Sequence, residues 1–399
     1  MTTTGAIPAG RYAERLERAQ ALLPEHDAAA LLVGVGADLR WLTGHNALPL
    51  ERLTMLVLPA RGIATLIVPR LEAAAARTAP AVSTGVVELS TWEETDNPFA
   101  LVSRALIQAK SRPEIQIGAL GGAWGRLGML LVSDRLWASH LLRLQEEMDD
   151  AAFGLASTVL AGLRAIKDAE EVDLLRVAAH AADRVVAQIA AGRLVGRSEA
   201  SVAQEVRARL VAEGHDLASF AIVGSGANSA SPHHEASDRV INAGEPIVLD
   251  IGGQVEGYCS DVTRTLWVTG DEGIAPDAEF SRLYEVLHHA QAEASRAVAP
   301  GVRCADIDGV ARAIIAGAGH GEHFIHRTGH GIGLEGHEDP YLVAGNDEPL
   351  TAGNAFSVEP GIYIDGRYGA RIEDIVVCAA DGADVLNLAP RDLLVVRGT

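Results

Sequence analysis

Acidic residues interrupt apolar, strand-like stretches in the second half of the chain. In GEPIVLDIGGQVEGYCSDVTRTLWV, residues 244–268, Asp250 and Asp261 lie in two such stretches joined by a glycine-containing turn. A hairpin that turns about Val255 and Glu256 would make the two aspartates direct cross-strand partners. Like charges about 4.5–5.5 Å apart at Cβ destabilise an antiparallel pair, so this arrangement indicates a bound cation.

The same pattern recurs in AFSVEPGIYIDGRYGARIEDIVV, residues 355–377. A hairpin centred on Gly366 would place Glu359 opposite Glu373, although Pro360 cannot donate a ladder hydrogen bond. Apolar neighbours flank these acids, and a buried carboxylate without a partner is strongly destabilising. Four converging carboxylates with one imidazole suit two divalent cations. Mn²⁺ is the first choice, with Co²⁺, Fe²⁺ and Zn²⁺ as alternatives.

The imidazole is expected from HRTGHGIGLEGHEDP, residues 326–340, which holds three histidines. His326 and His330 have the four-residue spacing that places two zinc ligands on one face of a helix. However, the glycines between and after them each cost a helix about 1 kcal/mol relative to alanine. The segment is therefore predicted as loop and strand, and its spacing alone does not identify the ligand.

Composition restricts the class of protein and of partner. The chain has 399 residues, with 48% hydrophobic and 22% charged residues, as in a globular protein with a sizeable core. Its net charge of −20 argues against a nucleic-acid partner, because phosphate binding needs a basic surface. Three cysteines without C-x-x-C spacing indicate a reducing compartment. Since neither a signal peptide nor an apolar run of about 18 residues occurs, we expect a cytoplasmic protein without a membrane partner.

The order of the predicted elements indicates two domains. Residues 1–160 alternate strand-like segments (AALLVG, TMLVLP and ATLIVP) with helical ones, as in an α/β domain. Residues 165–399 begin with a long helix, for which Asp168 and Glu171 form a capping-box pattern. Further helices are predicted over 198–213, 277–298 and 304–318, and strands and turns from 321 to 380. The second domain is therefore predicted as α+β.

These motifs resemble a known family. VLDIGG, D-x-TRT, HRTGHGIGL, SVEPGIY and ARIEDIV, in this order, are similar to the M24-type metallopeptidases of the pita-bread fold. Prolidase (Xaa-Pro dipeptidase), aminopeptidase P and methionine aminopeptidase share that fold. The resemblance covers residues 165–399, while residues 1–160 are similar to the creatinase-type N-terminal domain. Methionine aminopeptidases lack that domain, so the resemblance favours prolidase or aminopeptidase P.

The resemblance implies five metal ligands and identifies His330 as the ligand within the histidine segment. Carried over by motif, the ligands are Asp250, Asp261, His330, Glu359 and Glu373. Asp261 and Glu373 would bridge the two ions. Ions about 3.5–4 Å apart can share one water, and the resulting hydroxide would attack the scissile carbonyl.

The catalytic residues implied by the resemblance are His233, His337 and Glu359. Glu359 would take the proton of the attacking water and pass it to the leaving nitrogen. His233 and His337 would hold the substrate carbonyl and the proline carboxylate. His326 matches neither role, and His234 has no counterpart in the family motif.

Three further residues are expected to contact the substrate. Arg371, two positions before Glu373, is placed to orient a ligand or to bind the substrate carboxylate. His45 and Arg52 belong to a polar loop between two strand-like stretches. In prolidases of this type the corresponding loop reaches the active site of the partner subunit, so we expect a homodimer. Gly336 departs from the Val or Ile usual in the family before the second histidine.

The sequence as a whole predicts a peptidase that hydrolyses Xaa-Pro dipeptides with two divalent ions. One alternative is aminopeptidase P, which acts on longer Xaa-Pro peptides. Another is a hydrolase of the same fold that acts on a small non-peptide substrate. A third, from a different class, is a binding protein without catalysis, but such relatives usually lose ligands and all five are present here.

Overall fold

The structure is a computed structural model that describes residues 7–111 and 128–399. The described residues form two compact units. The N-terminal unit is Ile7–Arg164, and the C-terminal unit is Ala165–Thr399.

The N-terminal unit is built on a mixed six-stranded sheet. Its elements are α1 Ala9–Leu22, β1 Ala28–Gly34, α2 Ala37–Thr43, β2 Met55–Pro59, β3 Ala64–Pro69, α3 Ala73–Thr78, α4 Pro80–Ser83, β4 Val87–Trp92, α5 Pro98–Ser111, β5 Gly128–Val132, α6 Ala138–Glu147, β6 Ala151–Leu155 and α7 Ser157–Ala165. The strands lie in the order β4-β3-β2-β1-β5-β6. The α/β character predicted for this half of the chain is thus present, with strands at the three segments quoted above.

The C-terminal unit contains two five-stranded sheets and a short hairpin. Its elements are α8 Ala169–Ala190, α9 Glu199–Ala212, β7 Leu217–Ser225, β8 Glu245–Val255, β9 Tyr258–Cys259, β10 Val262–Val268, α10 Ala278–Arg296, α11 Cys304–Gly317, β11 Gly329–Gly331, β12 Glu338–Leu342, β13 Ala355–Val358, β14 Gly361–Ile364, β15 Tyr368–Arg371, β16 Asp374–Ala379, β17 Gly382–Val385 and β18 Leu394–Val396. One sheet has the order β18-β10-β8-β7, with β9 on β8, and the other β12-β11-β13-β16-β17.

Apolar faces of helices cover these sheets and form two cores. Helices α8 and α9 pack with β7, β8 and β10 in one core, which includes Val186, Val206 and Leu249. Helices α10 and α11 pack with β13–β16 in the other, which includes Phe280 and Phe356. Asp250 lies on β8, and the other three acids of the predicted site lie directly beside strand ends, so packing of the strands fixes their backbone positions.

The predicted helices of the second domain are confirmed, including the capping box. Asp168 accepts from the backbone N–H of Glu171, and Glu171 accepts from the backbone N–H of Asp168. Helices α9 and α10 begin after Ser198 and Asp277, whose side chains accept from N–H groups in the first turn. Such caps satisfy donors that a helix leaves free at its start.

The predicted register of the first hairpin is wrong by two residues. Val255 pairs with Tyr258, so the turn lies at Glu256 and Gly257, both of which have positive φ (49° and 83°). A two-residue turn of this kind favours glycine, whereas the β-branched Val255 would be strained there. The cross-strand partner of Asp250 is therefore Thr263, not Asp261. A shift of two residues keeps the same strand face, so Asp261 becomes a diagonal neighbour of Asp250.

The predicted register of the second hairpin is confirmed. Ile364 pairs with Tyr368 around Gly366, and further out Val358 pairs with Asp374 in the same register. Glu359 and Glu373 lie opposite each other where the ladder is interrupted. There Glu359 donates its N–H to the carbonyl of Thr328 and Glu373 donates to that of Thr263. The interruption coincides with Pro360, which has no N–H to donate.

In residues 7–111 and 128–399, no helix combines the length and the hydropathy needed to cross a membrane.

Candidate metal centre and active site

Three buried side chains from different segments of the chain bring ligand atoms close together. One atom each of Asp261, His330 and Glu373 lies within 4.8 Å of the other two. Asp261 directly precedes β10, His330 is the central residue of β11, and Glu373 lies between β15 and β16. Their exposed fractions are 6%, 3% and 2%, so the position is shielded from solvent.

The orientation of His330 leaves one ring nitrogen for a ligand. Nδ1 lies 3.1 Å from the carbonyl oxygen of Gly331, and only a protonated nitrogen can donate there. Nε2 faces the acids, 3.1 Å from Oε1 of Glu359 and 3.9 Å from Oδ2 of Asp261, and a bound metal ion would take the place of a proton on it. A backbone acceptor on the other nitrogen is the usual way in which a metal-binding histidine is oriented.

Glycines on both sides of His330 allow β11 to lie this close to its neighbours. A Cβ on Gly329 would lie 1.9 Å from the carbonyl oxygen of Ser357, and one on Gly331 would lie 2.2 Å from that of Asp339. The segment is loop and strand, with β11 and the start of β12, as predicted from the cost of glycine in helices.

Thr263 connects the two acid-bearing hairpins. It is the cross-strand partner of Asp250, its backbone forms a bridge with Glu373, and its hydroxyl donates to Oε2 of Glu373 over 2.7 Å. Glu359 is fixed from the other side, since the hydroxyl of Ser357 donates to its Oε1 over 3.1 Å. The four acids are thereby brought to one site from two hairpins.

Asp250 has one oxygen in an ion pair and one without a partner. Oδ2 accepts from Nη2 of Arg371 at 2.5 Å. Oδ1 is buried and has no hydrogen-bond partner among the residues that the structure describes. A buried carboxylate oxygen without a partner is costly, and a cation would remove that cost.

The pKa values of the acids reflect their burial and the repulsion between their charges. Burial, followed by the charge of neighbouring carboxylates, raises the pKa of Asp261 and of Glu373 well above the ordinary values. Burial also raises the pKa of Asp250, against the lowering by Arg371. For Glu359, burial acts to raise the pKa, but the hydrogen bond and charge of His330 and other nearby cationic groups lower it to about 2.

This donor set fits divalent cations. Metal binding requires ionised carboxylates and a neutral imidazole, and the positive charge of a cation would offset the mutual repulsion of the acids. Carboxylates with one imidazole are ligands for Mn²⁺ and its first-row neighbours. Asp261, His330 and Glu373 form the tightest group, Glu359 adjoins it through His330, and Asp250 offers its unpaired oxygen.

The two histidines predicted to contact substrate lie beside this group. The ring of His337 is exposed and its centroid is 4.0 Å from that of His330. Burial, then the charges of His330 and Arg327, lower the pKa of His337 to about 4, so the ring is neutral near pH 7. His233 is exposed and follows Pro232, whose carbonyl oxygen accepts from Nη2 of Arg371 over 3.3 Å, so this loop lies beside the site.

His326 has a defined place that the sequence motif does not reveal. Its Nδ1 donates to the carbonyl oxygen of Arg327 over 2.7 Å, and the hydroxyl of Tyr363 donates to its Nε2 over 2.9 Å. Tyr363 in turn accepts from Nη1 of Arg371 over 2.8 Å. The sequence analysis missed Tyr363 and Thr263, since neither hydroxyl stands out until the strands are paired.

The surroundings of Arg371 differ from those of a substrate-binding residue. Its side chain is 3% exposed, and its nitrogens donate to Asp250, Tyr363, Thr263 and the carbonyl oxygen of Pro232. Of the two roles expected from the sequence, this geometry supports the orienting of a ligand.

The other two residues expected to bind substrate lie in the N-terminal unit, where His45 is buried and Arg52 is ion-paired. His45 is 4% exposed, and burial lowers its pKa. Arg52 forms ion pairs with Glu51 and Glu94, each at 2.7 Å. The role of His45 and Arg52 at a substrate stays a prediction.

His234, which has no counterpart in the motif, donates from Nε2 to buried Glu199. The carboxylate of Glu199 also accepts from the backbone N–H and hydroxyl groups of Ser225 and Ser237 and from the side-chain amide of Asn228. These bonds attach the loop after β7, which carries His233, to the first turn of α9. The sequence offers one signal for this, an acid directly after the helix cap Ser198.

Comparison with known proteins identifies similar sequences and structures. The model of metallopeptidase family M24 matches residues 173–380, and that of the creatinase/prolidase N-terminal domain matches residues 15–166. The probable dipeptidase PepE of Mycobacterium tuberculosis is 44% identical over 386 residues, which cover 96% of each chain.

Two solved structures are similar over nearly the whole chain. That of dipeptidase PepE from Mycobacterium ulcerans has a TM-score of 0.87 and 45% identity, covering 98% of this chain and 100% of the other. That of a prolidase from Thermococcus sibiricus has a TM-score of 0.86 and 34% identity, with the same coverage.

Proposed function

The chain belongs to metallopeptidase family M24, with a creatinase-type N-terminal domain and a pita-bread catalytic domain, and we propose that it is an Xaa-Pro dipeptidase that uses two divalent metal ions. The observation that carries the proposal is the convergence of Asp261, His330 and Glu373 on one buried position. Glu359 and Asp250 complete the proposed ligand set. The relatives named as dipeptidases and prolidase support the class of substrate.

Bound divalent ions would supply Lewis acidity, lowering the pKa of a water molecule toward neutrality and polarising the scissile carbonyl. The chain's own residues supply ligands, orientation and proton transfer. Arg371 and Thr263 hold Asp250 and Glu373 in place. The backbone carbonyl of Gly331 accepts from Nδ1 of His330, which leaves Nε2 facing the proposed metal position. Because these hydrogen bonds are made within the protein, they orient the ligands before a substrate binds.

Proton transfer is assigned to Glu359. Its low pKa keeps it ionised, so it can accept a proton from water. The leaving nitrogen of an Xaa-Pro bond is a tertiary amide and has no hydrogen of its own, so it must receive that proton. His337, neutral near pH 7, and His233 lie on the exposed side of the ligands and would donate hydrogen bonds to the substrate carbonyl and carboxylate.

Hydrolysis assays with metal-stripped protein test the proposal. The protein is stripped of metal, supplied with Mn²⁺, Co²⁺, Fe²⁺ or Zn²⁺, and assayed on Ala-Pro, Gly-Pro, Ala-Ala and Ala-Pro-Ala. We expect Mn²⁺ to restore hydrolysis best and Ala-Pro to be preferred over Ala-Ala and Ala-Pro-Ala. Preference for Ala-Pro-Ala would indicate an aminopeptidase P instead. Preference for Ala-Ala would leave a dipeptidase without proline specificity, and no hydrolysis of any peptide would contradict the proposal.

We also propose that the active form is a homodimer in the cytoplasm, with a small peptide as its substrate. The proposal rests on the resemblance to prolidases, in which the loop that corresponds to the one carrying His45 and Arg52 reaches the partner's site. Light scattering at assay concentrations measures the assembly. A monomer with full activity would contradict it.

A further inference from the structure

Arg327 is a cation beside the metal centre that has no acidic partner in the part of the chain that the structure describes. Its guanidinium lies over the ring of Tyr341, 4.5 Å from the centroid, and its Nη2 is 3.4 Å from Nδ1 of His337. The other arginine of the site, Arg371, is buried against Asp250. Arg327 is partly exposed and retains hydrogen-bond donors for a ligand.

The position of Arg327 is determined by the same strands that hold the ligand His330. Tyr341 is the cross-strand partner of His330 in the β11–β12 pair, so its ring lies next to the metal centre. Stacking on an aromatic face holds the plane of a guanidinium while leaving its edge free. The edge of Arg327 therefore has a fixed direction beside His337.

The distances match a substrate with one residue after the scissile bond. In a dipeptide the scissile carbonyl and the terminal carboxylate are separated by one residue, a span of about 3.3–3.6 Å. A group that binds this carboxylate must therefore lie close to the metal ligands, about one residue beyond the position of the scissile carbonyl. The ring of His337 lies 4.0 Å from that of His330, and Nη2 of Arg327 lies 3.4 Å from Nδ1 of His337.

We propose that Arg327 binds the free C-terminal carboxylate of a dipeptide substrate through charge-assisted hydrogen bonds. The inference rests on the proposed function, because it assumes that the scissile carbonyl lies at the candidate metal centre. A planar guanidinium matches a carboxylate in a two-bond geometry. A longer peptide has an uncharged amide at the same place, so Arg327 would contribute less to its binding free energy. Arg327 is thus a determinant of substrate length.

The test compares Arg327→Met and Arg327→Lys with wild type on Ala-Pro and on Ala-Pro amide, which lacks the charge. We expect Arg327→Met to lower kcat/KM for Ala-Pro by about 10- to 100-fold, chiefly through KM, because a hydrogen bond to a charged group is lost. The amide should change by less than about threefold. Arg327→Lys keeps the charge and should retain part of the selectivity. Arg296→Met, which removes an exposed arginine of α10, is the matched control and should match wild type on both substrates.

Equal losses on acid and amide would overturn the inference, because they would mean that Arg327 acts only through packing on Tyr341. No loss on either would overturn it as well. If wild type does not cleave Ala-Pro, the proposed function fails. In that case the free acids Ala-Pro and Ala-Ala and their C-terminal amides are compared by calorimetric titration of metal-stripped protein. There, too, Arg327→Met should weaken binding of the acids alone, and an unchanged ratio would contradict the assignment.

Discussion

Nε2 of His234 lies 2.8 Å from Oε2 of Glu199, and the neighbouring residue His233 is exposed in the same loop. One histidine of the pair is thus fixed to a buried acid, while the other is exposed next to Pro232, which contacts Arg371. Glu199 is fully buried and accepts further bonds from Ser225 and Ser237. His234 and Glu199 are therefore positioning residues for His233.

Removing this attachment should lower turnover without removing metal. We expect His234→Ala to reduce kcat/KM by about tenfold, since loss of a hydrogen bond to a charged group costs about 1.5–3 kcal/mol and only part of it reaches His233. His234→Gln, which keeps a donor, should recover part of the loss. His289→Ala removes an exposed histidine of α10 and is the control. Metal content and steady-state kinetics are measured together, and a loss of bound metal in His234→Ala would contradict the positioning role.

The same acid predicts a pH dependence of stability. Burial acts to raise the pKa of Glu199, but hydrogen bonds from Ser225, Ser237 and His234 lower it from 4.5 to about 2. Because the pKa is lower in the folded state, the stabilisation is complete above about pH 4.5 and is lost as the pH falls toward 2. The span corresponds to about 3 kcal/mol.

Thermal unfolding between pH 2 and pH 6 measures this contribution. Glu199→Gln should have a lower Tm than wild type at pH 6, and the difference should shrink toward pH 2. Comparing the two proteins isolates Glu199 from the other acids, which titrate in both. A difference that stays constant over this range would show that the carboxylate charge is not what stabilises the loop.

Metal binding should separate the histidines by role. Asp261→Asn and His330→Ala should each remove at least one ion per chain and most activity, because their ligand atoms belong to the tight group. His337→Ala and His233→Ala should keep metal and lose turnover. Elemental analysis of each purified variant is the measurement. Two tightly bound ions in Asp261→Asn, or equal metal loss in His326→Ala and His330→Ala, would contradict the ligand assignment.

Close packing of β11 makes Gly329 intolerant of a side chain. Gly329→Ala places a Cβ within 1.9 Å of the backbone of Ser357, so the strand must move and carry His330 with it. We expect a loss of about 1–3 kcal/mol in stability, as for an overpacked core, together with weaker metal binding. Gly336→Ala is the matched control, because its Cβ would meet no atom within 4 Å. Chemical denaturation and metal titration check both, and a tolerant Gly329→Ala would mean that β11 can shift without harm.

The loop with His45 and Arg52 predicts length selectivity in the dimer. If it closes the partner's site, the double variant His45→Ala/Arg52→Ala should lose preference for Ala-Pro over Ala-Pro-Ala. Because Arg52 already pairs with Glu51 and Glu94, we expect the effect to be below about tenfold. The readout is the ratio of kcat/KM for the two substrates. An unchanged ratio, or a wild type that prefers the tripeptide, would reject this role.

Local features of the chain were predictable because each depends on neighbouring residues. The cap at Asp168 and the turn at Gly366 follow from side chains and φ preferences within a few positions. The loop and strand over the histidine segment, in place of a helix, follow from its glycines. The fold class followed from the motifs and is confirmed by the similar structures.

Register around the first turn was decided by a single backbone preference. Either of two turn positions would keep Asp250 and Asp261 on one strand face, since a shift of two residues does not change the face. The sequence therefore predicted that Asp250 and Asp261 share a face of the sheet, but it did not predict the cross-strand partner of either residue. The left-handed turn at Glu256 and Gly257 makes Thr263 the partner of Asp250.

Partners far apart in the chain were decided only by tertiary structure. Arg371 lies against Asp250, Glu199 against His234, and Tyr341 beneath Arg327. A spacing of many residues carries no information on distance, because it is the packing of sheets and helices that closes such loops. By itself the sequence indicated which acids could hold metal, and the family motif indicated His330. The packed sheets decided which arginine is buried as a support and which remains free for a ligand.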